Sequence, residues 1–279
     1  MASQYKTIHP VKYLRDYLVQ DIRPDGRQFL RFRPVSVNVG ALTQADSSAI
    51  FKIGSTTVVC GIKAELAAPR PDAPNSGYFI PNVELSPLCS LKFRPGPPSD
   101  QAQVASKMVD DILRNSAALD LTELCICSDK LVWVLYCDLI CIDYDGSVTD
   151  ACVGALMAAL KTLTLPEVQF NPETAAVVVN KINRKTFSLK SLPVSTTFAI
   201  YDDHLLIADP TDEEETLSKG KLCFVMDREV LCGLYKPGGI SIPQDLLFKG
   251  LSRSKKRAEL IRKLIEAATT PSERSQHIH

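Results

Sequence analysis

The chain has 279 residues, 45% of them apolar, with 32 basic side chains balanced by 32 acidic ones. That length and apolar share support two modest domains around a sizeable core, and the zero net charge excludes nucleic-acid recognition by bulk charge, leaving only a local patch. No run of about 20 apolar residues marks a membrane span, and the N-terminal MASQYKTIHP lacks the basic-then-apolar order of a secretory signal.

The spacing of Val11, Leu14 and Leu18 predicts an amphipathic helix over 10–20. It stops at the turn-forming pentapeptide RPDGR (23–27), whose composition reads as a charged surface turn. Residues 34–66 predict a β-meander: Val35, Val37 and Val39 alternate with polar residues, and the runs 48–53 and 56–63 flank the hairpin pair Gly54-Ser55. Pro69, Pro71, Pro74 and Pro81 predict a loop, with a short strand over 82–85. The segment SPLCSLKFRPGPP (86–98) is irregular and sets Lys92 and Arg94 beside Phe93. Such a loop can hold a phosphate backbone and stack a base. It is equally readable as a solvated loop over a buried Phe93. Ser99 predicts the N-cap of a helix over 100–119, with Ala102, Ala105, Met108, Val109, Ile112 and Leu113 inward and Arg114 near its end.

Residues 131–163 organise the chain. LVWVLYCDLICIDY is apolar on both faces, which predicts a central strand covered on both sides. The Asp145-Gly146 turn leads into a helix almost without charge, predicted to be buried all round. A strand turning sharply into a helix N-terminus presents free N–H groups and a helix dipole to an anion. Beyond a break at Pro166, strands are predicted over 175–179, 186–189, 194–200 and 205–208, then a solvated acidic turn at Asp212-Glu213-Glu214-Glu215. A hairpin pair over 222–226 and 230–235 precedes the Lys236-Pro237-Gly238-Gly239 turn. The last element, 243–268, is a basic amphipathic helix with Leu247, Leu251, Ser254, Ala258, Ile261 and Ile265 on its core stripe, followed by a tail expected to be disordered. This order predicts an α+β chain of two related halves, the second smaller.

No cofactor is expected. The histidines are scattered, no CxxC occurs, and the nine cysteines sit mostly in apolar strands, which points to a reducing compartment. Asp138 and Asp143 fall on opposite faces of one strand, so they do not converge as a metal site requires.

RPDGR, DSSAIFKIGSTTVVCGIKAE, FRPGPP and DLICIDYDGSVTDACVGALMAAL together resemble the ribonuclease PH family across about residues 13–264. The resemblance implies an α+β ribonuclease PH fold: a ribosomal protein S5 domain 2-like βαβα larger half and a smaller related C-terminal half. Its boundaries would be an N-terminal helix and turn in 1–30, domain 1 over 31–167, domain 2 over 190–265 and a tail over 269–279. FRPGPP, the DYDG turn before TDAC, and LPVSTTFAI with its DPTDEEE sequel resemble the branch that sits in the RNA exosome ring without the phosphorolytic site.

Active members of the family use inorganic phosphate to cleave RNA from its 3′ end, holding it at a turn reading Asp-Gly-Gly-Thr-Arg-Thr-Ala. Here the matching positions include Ser147, Val148, Thr149 and Asp150. By this resemblance Val148 replaces a phosphate-binding hydroxyl, Thr149 an arginine, and Asp150 stands where the anion would approach. An Arg–phosphate pair at about 4 Å contributes up to ~4 kcal/mol at a dielectric of about 20, so its loss is large. Asp150 is expected to cap the helix as an internal anion. The family's two catalytic aspartates fall on Lys185 and Ser191, and 174–201 contains no Asp or Glu to serve as general acid. Two RNA-holding arginines of the related archaeal non-catalytic subunit match Asp111 and Arg114, which leaves Lys92, Arg94 and Arg114 as candidate RNA contacts.

The resemblance therefore implies a non-catalytic structural subunit supporting 3′-to-5′ RNA processing and degradation. Its partners would be other ribonuclease PH-like exosome ring subunits, cap proteins, an associated nuclease and RNA in the channel, with no membrane. Nucleus, nucleolus and cytoplasm are the expected locations. The rivals are an active phosphate-dependent 3′-to-5′ exoribonuclease and a stand-alone RNA-binding module, the latter disfavoured by the neutral charge.

Overall fold

A computed structural model describes residues 2–171, 177–202 and 205–270. Alternating apolar residues build a meander of β1 (Val35–Val39), β2 (Ser47–Ile53) and β3 (Thr56–Ala67). The sheet continues through β6 (Leu131–Asp143) to β4 (Tyr78–Glu84), in the order β1-β2-β3-β6-β4, and β5 (Cys125–Cys127) also pairs with β6. The loop expected before residue 82 is shorter, because β4 begins at Tyr78 and contains Pro81. Proline is tolerated there because β4 lies at the sheet edge.

Ser99 caps α3 (Asp100–Ser116), its hydroxyl accepting from Ala102 N at 3.3 Å. Ala102, Ala105, Val109, Ile112 and Leu113 are buried beneath it. The helix after β6 is α4 (Val148–Lys161). Its side chains from Ala151 to Leu160 are all buried, because α4 lies between two sheets. The second sheet has the order β10-β9-β11-β12: β9 (Val194–Tyr201), β10 (Leu205–Ala208), β11 (Gly220–Asp227) and β12 (Val230–Tyr235). It is covered by α6 (Gln244–Thr269), which also touches β1 and α4, with Ser254, Ala258, Ile261 and Ile265 inward as the stripe predicts.

Several expectations are corrected. The β6 strand is not covered on both faces: Tyr136, Asp138 and Ile140 are exposed, since α3 and α4 occupy one side only. Pro166 does not break the chain but sits in β7 (Thr164–Phe170), which pairs with β8 (Val177–Thr186) as a two-stranded arm. The acidic turn is α5 (Asp212–Leu217), closed by a capping box of Thr211 and Glu214, with Glu214 and Glu215 buried. The N-terminus forms α1 (Ala2–Ile8) as well as α2 (Pro10–Leu18). Residue 269 is still helical, and the rest of the expected tail from 271 lies outside the described residues.

RPDGR is a turn with Asp25 and Gly26 exposed, as expected, but its first arginine does not lie at the surface. Arg23 is 0% exposed. It donates to both carboxylate oxygens of Glu214, with Nε–Oε1 at 2.8 Å, and to the carbonyls of Ala208 and Asp209 at 2.7 and 3.0 Å. Arg33 grips Asp209 through Nε at 3.0 Å and Nη2 at 2.7 Å, and reaches the Asp145 carbonyl at 2.7 Å. Burial alone would raise the Asp209 carboxyl, but the Arg33 bonds hold it below the usual carboxylate range. The N-terminal segment is thus built into the seam between the two halves.

Candidate functional site

The turn from β6 into α4 is pressed against α5. Gly146 has φ +73, and a Cβ there would stand 2.4 Å from the Pro210 carbonyl oxygen. Only glycine permits both the backbone angle and that approach. Ser147 follows with φ 51, and its hydroxyl donates to the Pro210 carbonyl at 3.1 Å. Its N–H, at the mouth of α4, donates to Glu215 Oε1 at 2.6 Å. The other Glu215 oxygen accepts from Lys221 Nζ at 2.5 Å. The positive end of α4 is therefore occupied by a carboxylate of the same chain, a favourable placement for an anion.

Asp150 is not that anion. Its carboxylate points to β9, accepting from Thr197 N at 2.7 Å and Thr197 Oγ1 at 2.9 Å. Burial pushes its carboxyl up to about 6, although the Thr197 bonds favour the charged form. Asp150 ties α4 to the second sheet, and the anion supplied to the helix comes from Glu215.

A cavity of about 530 Å³ opens here, lined by Ser147, Val148, Thr149, Thr197, Glu215, Lys221 and Lys236 together with Lys107 and Asp111 of α3. Lys107 is held by Asp111 at 2.7 Å, and Lys221 by Glu215. No arginine lines it. Two of its cations are thus matched by adjacent carboxylates, and Val148 and Thr149 offer no charge to an incoming phosphate.

The other predicted positions lie elsewhere. Neither Lys185 nor Ser191 lines the cavity. Lys185 is on the exposed arm, 3.6 Å from Glu167, and the Ser191 hydroxyl donates to the Ser116 carbonyl at 3.2 Å. Lys92 pairs with Asp212 and lies 4.5 Å from the Tyr144 ring centre, so it fastens its loop to α5. Phe93 beside it is buried and Arg94 is exposed. Arg114 pairs with Asp110 at 2.8 Å near the far end of α3, roughly 20 Å along the helix from Asp100. The three candidate RNA contacts therefore do not form one patch. The central aspartates are also separate: Asp138 accepts from Asn82 at 3.2 Å, and Asp145 faces Arg33 at 3.2 Å. Among the described residues no cluster of three or more metal-capable side chains occurs.

Residues 31–166 match domain 1 of the 3′ exoribonuclease family and residues 191–257 match domain 2. The chain belongs to this family. It is 44% identical over 248 residues to exosome complex component rrp43 of Schizosaccharomyces pombe, covering 88% of this chain and 91% of that protein. It is 35% identical over 265 residues to exosome complex component Rrp42 of Pyrococcus furiosus, covering 95% of each. Among solved structures, a chain of the Archaeoglobus fulgidus exosome with RNA bound to the active site superposes with TM-score 0.81 at 31% identity, covering 91% of this chain and 96% of that one. A chain of an archaeal exosome core gives TM-score 0.79 at 28% identity, covering 95% and 100%. The exoribonuclease-family fold and its two-domain order, expected from the motifs, are shown by these matches.

The sequence reading missed Glu215 and Lys221. The signal was present: Thr211 and Glu214 are spaced as a capping box, which predicts a helix over the acidic run. A helix there fixes which of four neighbouring acids turn inward.

Proposed function

We propose that this exoribonuclease-family chain is a non-catalytic structural subunit of an RNA exosome ring, supporting 3′-to-5′ RNA processing and degradation by shaping the RNA channel. The likeness to exosome components over most of the chain supports ring membership. One observation carries the loss of catalysis: the Glu215 carboxylate at Ser147 N, backed by Lys221, where an active relative would hold phosphate. A phosphate arriving there must displace a paired carboxylate and meets no arginine. By the resemblance, Val148, Thr149, Lys185 and Ser191 take the places of the family's phosphate-binding and acid groups, which supports this reading.

Its partners are other ribonuclease PH-like ring subunits, cap proteins and an associated nuclease, in nucleus, nucleolus and cytoplasm. Two measurements test this reading. A tagged copy should emerge from extract in a particle several times its own mass, with related but different chains. The purified chain should release no nucleoside diphosphates from RNA in the presence of phosphate. A lone chain overturns ring membership, and phosphate-dependent release overturns the non-catalytic role.

A further inference from the structure

The seven cations of α6 divide into two groups. Four are used within the protein. Arg257 donates to the Arg33 carbonyl at 3.1 Å, and its guanidinium lies 4.7 Å from the Phe32 ring centre. Arg262 donates to the Arg228 carbonyl at 3.4 Å, Lys255 meets Glu229 at 3.2 Å and Lys263 meets Glu259 at 2.6 Å. The other three, Lys249, Arg253 and Lys256, are exposed. Among the described residues none of these three side chains forms an ion pair or a hydrogen bond. A chain of zero net charge has thus gathered unneutralised positive charge on the outer face of one helix.

Their spacing sets the three cations in one row, because residues i, i+4 and i+7 share a helix face; the row spans about 10 Å of the axis. Like charges so placed repel and weaken the helix unless an anion lies across them. Asp245 lies one turn before Lys249, and Glu259 faces Lys263, so neither carboxylate falls between the three. Ser252, exposed within the row, brings a hydroxyl donor that suits a phosphate oxygen. Phe248, next to Lys249, is 55% exposed and takes no part in the core stripe. Cations in a row beside a solvent-facing aromatic ring are the pairing that holds a single nucleic-acid strand, its phosphates on the cations and a base on the ring. The exposed leucines of α6, Leu260 and Leu264, lie beyond the row beside the paired Lys263. Free charge and aliphatic surface are therefore not interleaved as an acidic amphipathic peptide would need.

We propose that the outer face of α6 is a contact for single-stranded RNA, with Lys249, Arg253 and Lys256 on the phosphate backbone and Phe248 stacking one base. None of the four lines the cavity at the α4 N-terminus, so this contact is separate from the site that Glu215 fills, and it does not depend on ring membership. Neither charge nor stacking reads base edges, so the contact is tolerant of sequence and sensitive to salt.

The test is fluorescence anisotropy of a labelled oligouridylate, about 12 nucleotides long, titrated with the purified full chain over a range of salt. The triple variant Lys249→Ala, Arg253→Ala, Lys256→Ala is expected to bind at least about tenfold more weakly at low salt and to flatten the log–log salt slope by about 2. Phe248→Ala is expected to weaken binding at least about fivefold with the slope unchanged, and Phe248→Tyr to restore it. All four positions are exposed, so thermal midpoints should not fall, and Lys185→Ala on the arm serves as the control that binds as wild type. No binding by the wild-type chain at low salt, or equal affinity of the triple variant, overturns the proposal while ring membership stands. Displacement of the RNA by a polyglutamate peptide at equal concentration, with no effect of Phe248→Ala, makes the occupant an acidic polypeptide and overturns it as well.

Discussion

Arg23 shows how much one side chain can hold. It bridges Glu214 and two consecutive carbonyls with no exposure to water, so truncation strips a buried acid and the Ala208 carbonyl of their arginine in the seam. Arg23→Ala is expected to destabilise the chain by about 3–5 kcal/mol, read by urea unfolding. Adding Glu214→Ala should cost less than the sum of the single changes, because both remove the same pair. Asp150 makes the opposite case. Its folded carboxyl titrates near 6, above the ordinary value of about 3.9, so the folded state binds its proton more tightly. This contribution therefore weakens as pH rises from about 4 through 6 and is flat above, a span of roughly 3 kcal/mol. Asp150→Asn keeps an acceptor for Thr197 N–H and removes the ionisation. Its stability relative to wild type should rise between pH 4.5 and 7.5; an unchanged difference would refute the assignment.

At the scale of elements, α4 decides the architecture because both sheets rest on it. Its contact with β2 is close enough that a Cβ on Gly154 would stand 2.5 Å from the Phe51 ring. Gly154→Ala should force the helix away from the sheet and lower stability by about 1–3 kcal/mol, measured as a shift in thermal midpoint. Burial of α4 was legible from its lack of charge, as were the meander, the Ser99 cap and the stripe of α6. What escaped was set by tertiary contact. Arg23 has the composition of a surface turn, and only the arrival of Glu214 makes its burial tolerable. Pro81 and Pro166 read as loop and break, yet each joins a strand. The anion at α4 was legible as a need of the helix. Its donor was not, since Asp150 is adjacent in sequence and Glu215 only in space.

For the whole molecule, domain boundaries drawn from family matching start at residue 31, but the fold does not. A chain beginning there lacks Arg23 and Arg27 and leaves Glu214 buried without its main partner. Such a truncation should be insoluble or lose its cooperative melt, whereas removal of α1 alone, whose Lys6–Glu213 pair is partly exposed, should be tolerated. The Arg23–Glu214 contact joins positions 191 residues apart in the chain. During synthesis this turn must wait for α5, far along the chain, before its arginine can be buried. The first half can collapse on α4 early, but it stays open at the seam until α5 emerges. A ribosome stalled before residue 214 would hold a nascent chain with Arg23 still in water and the α4 N-terminus unfilled. The seam of this protein closes only after residues 209–215 have been made.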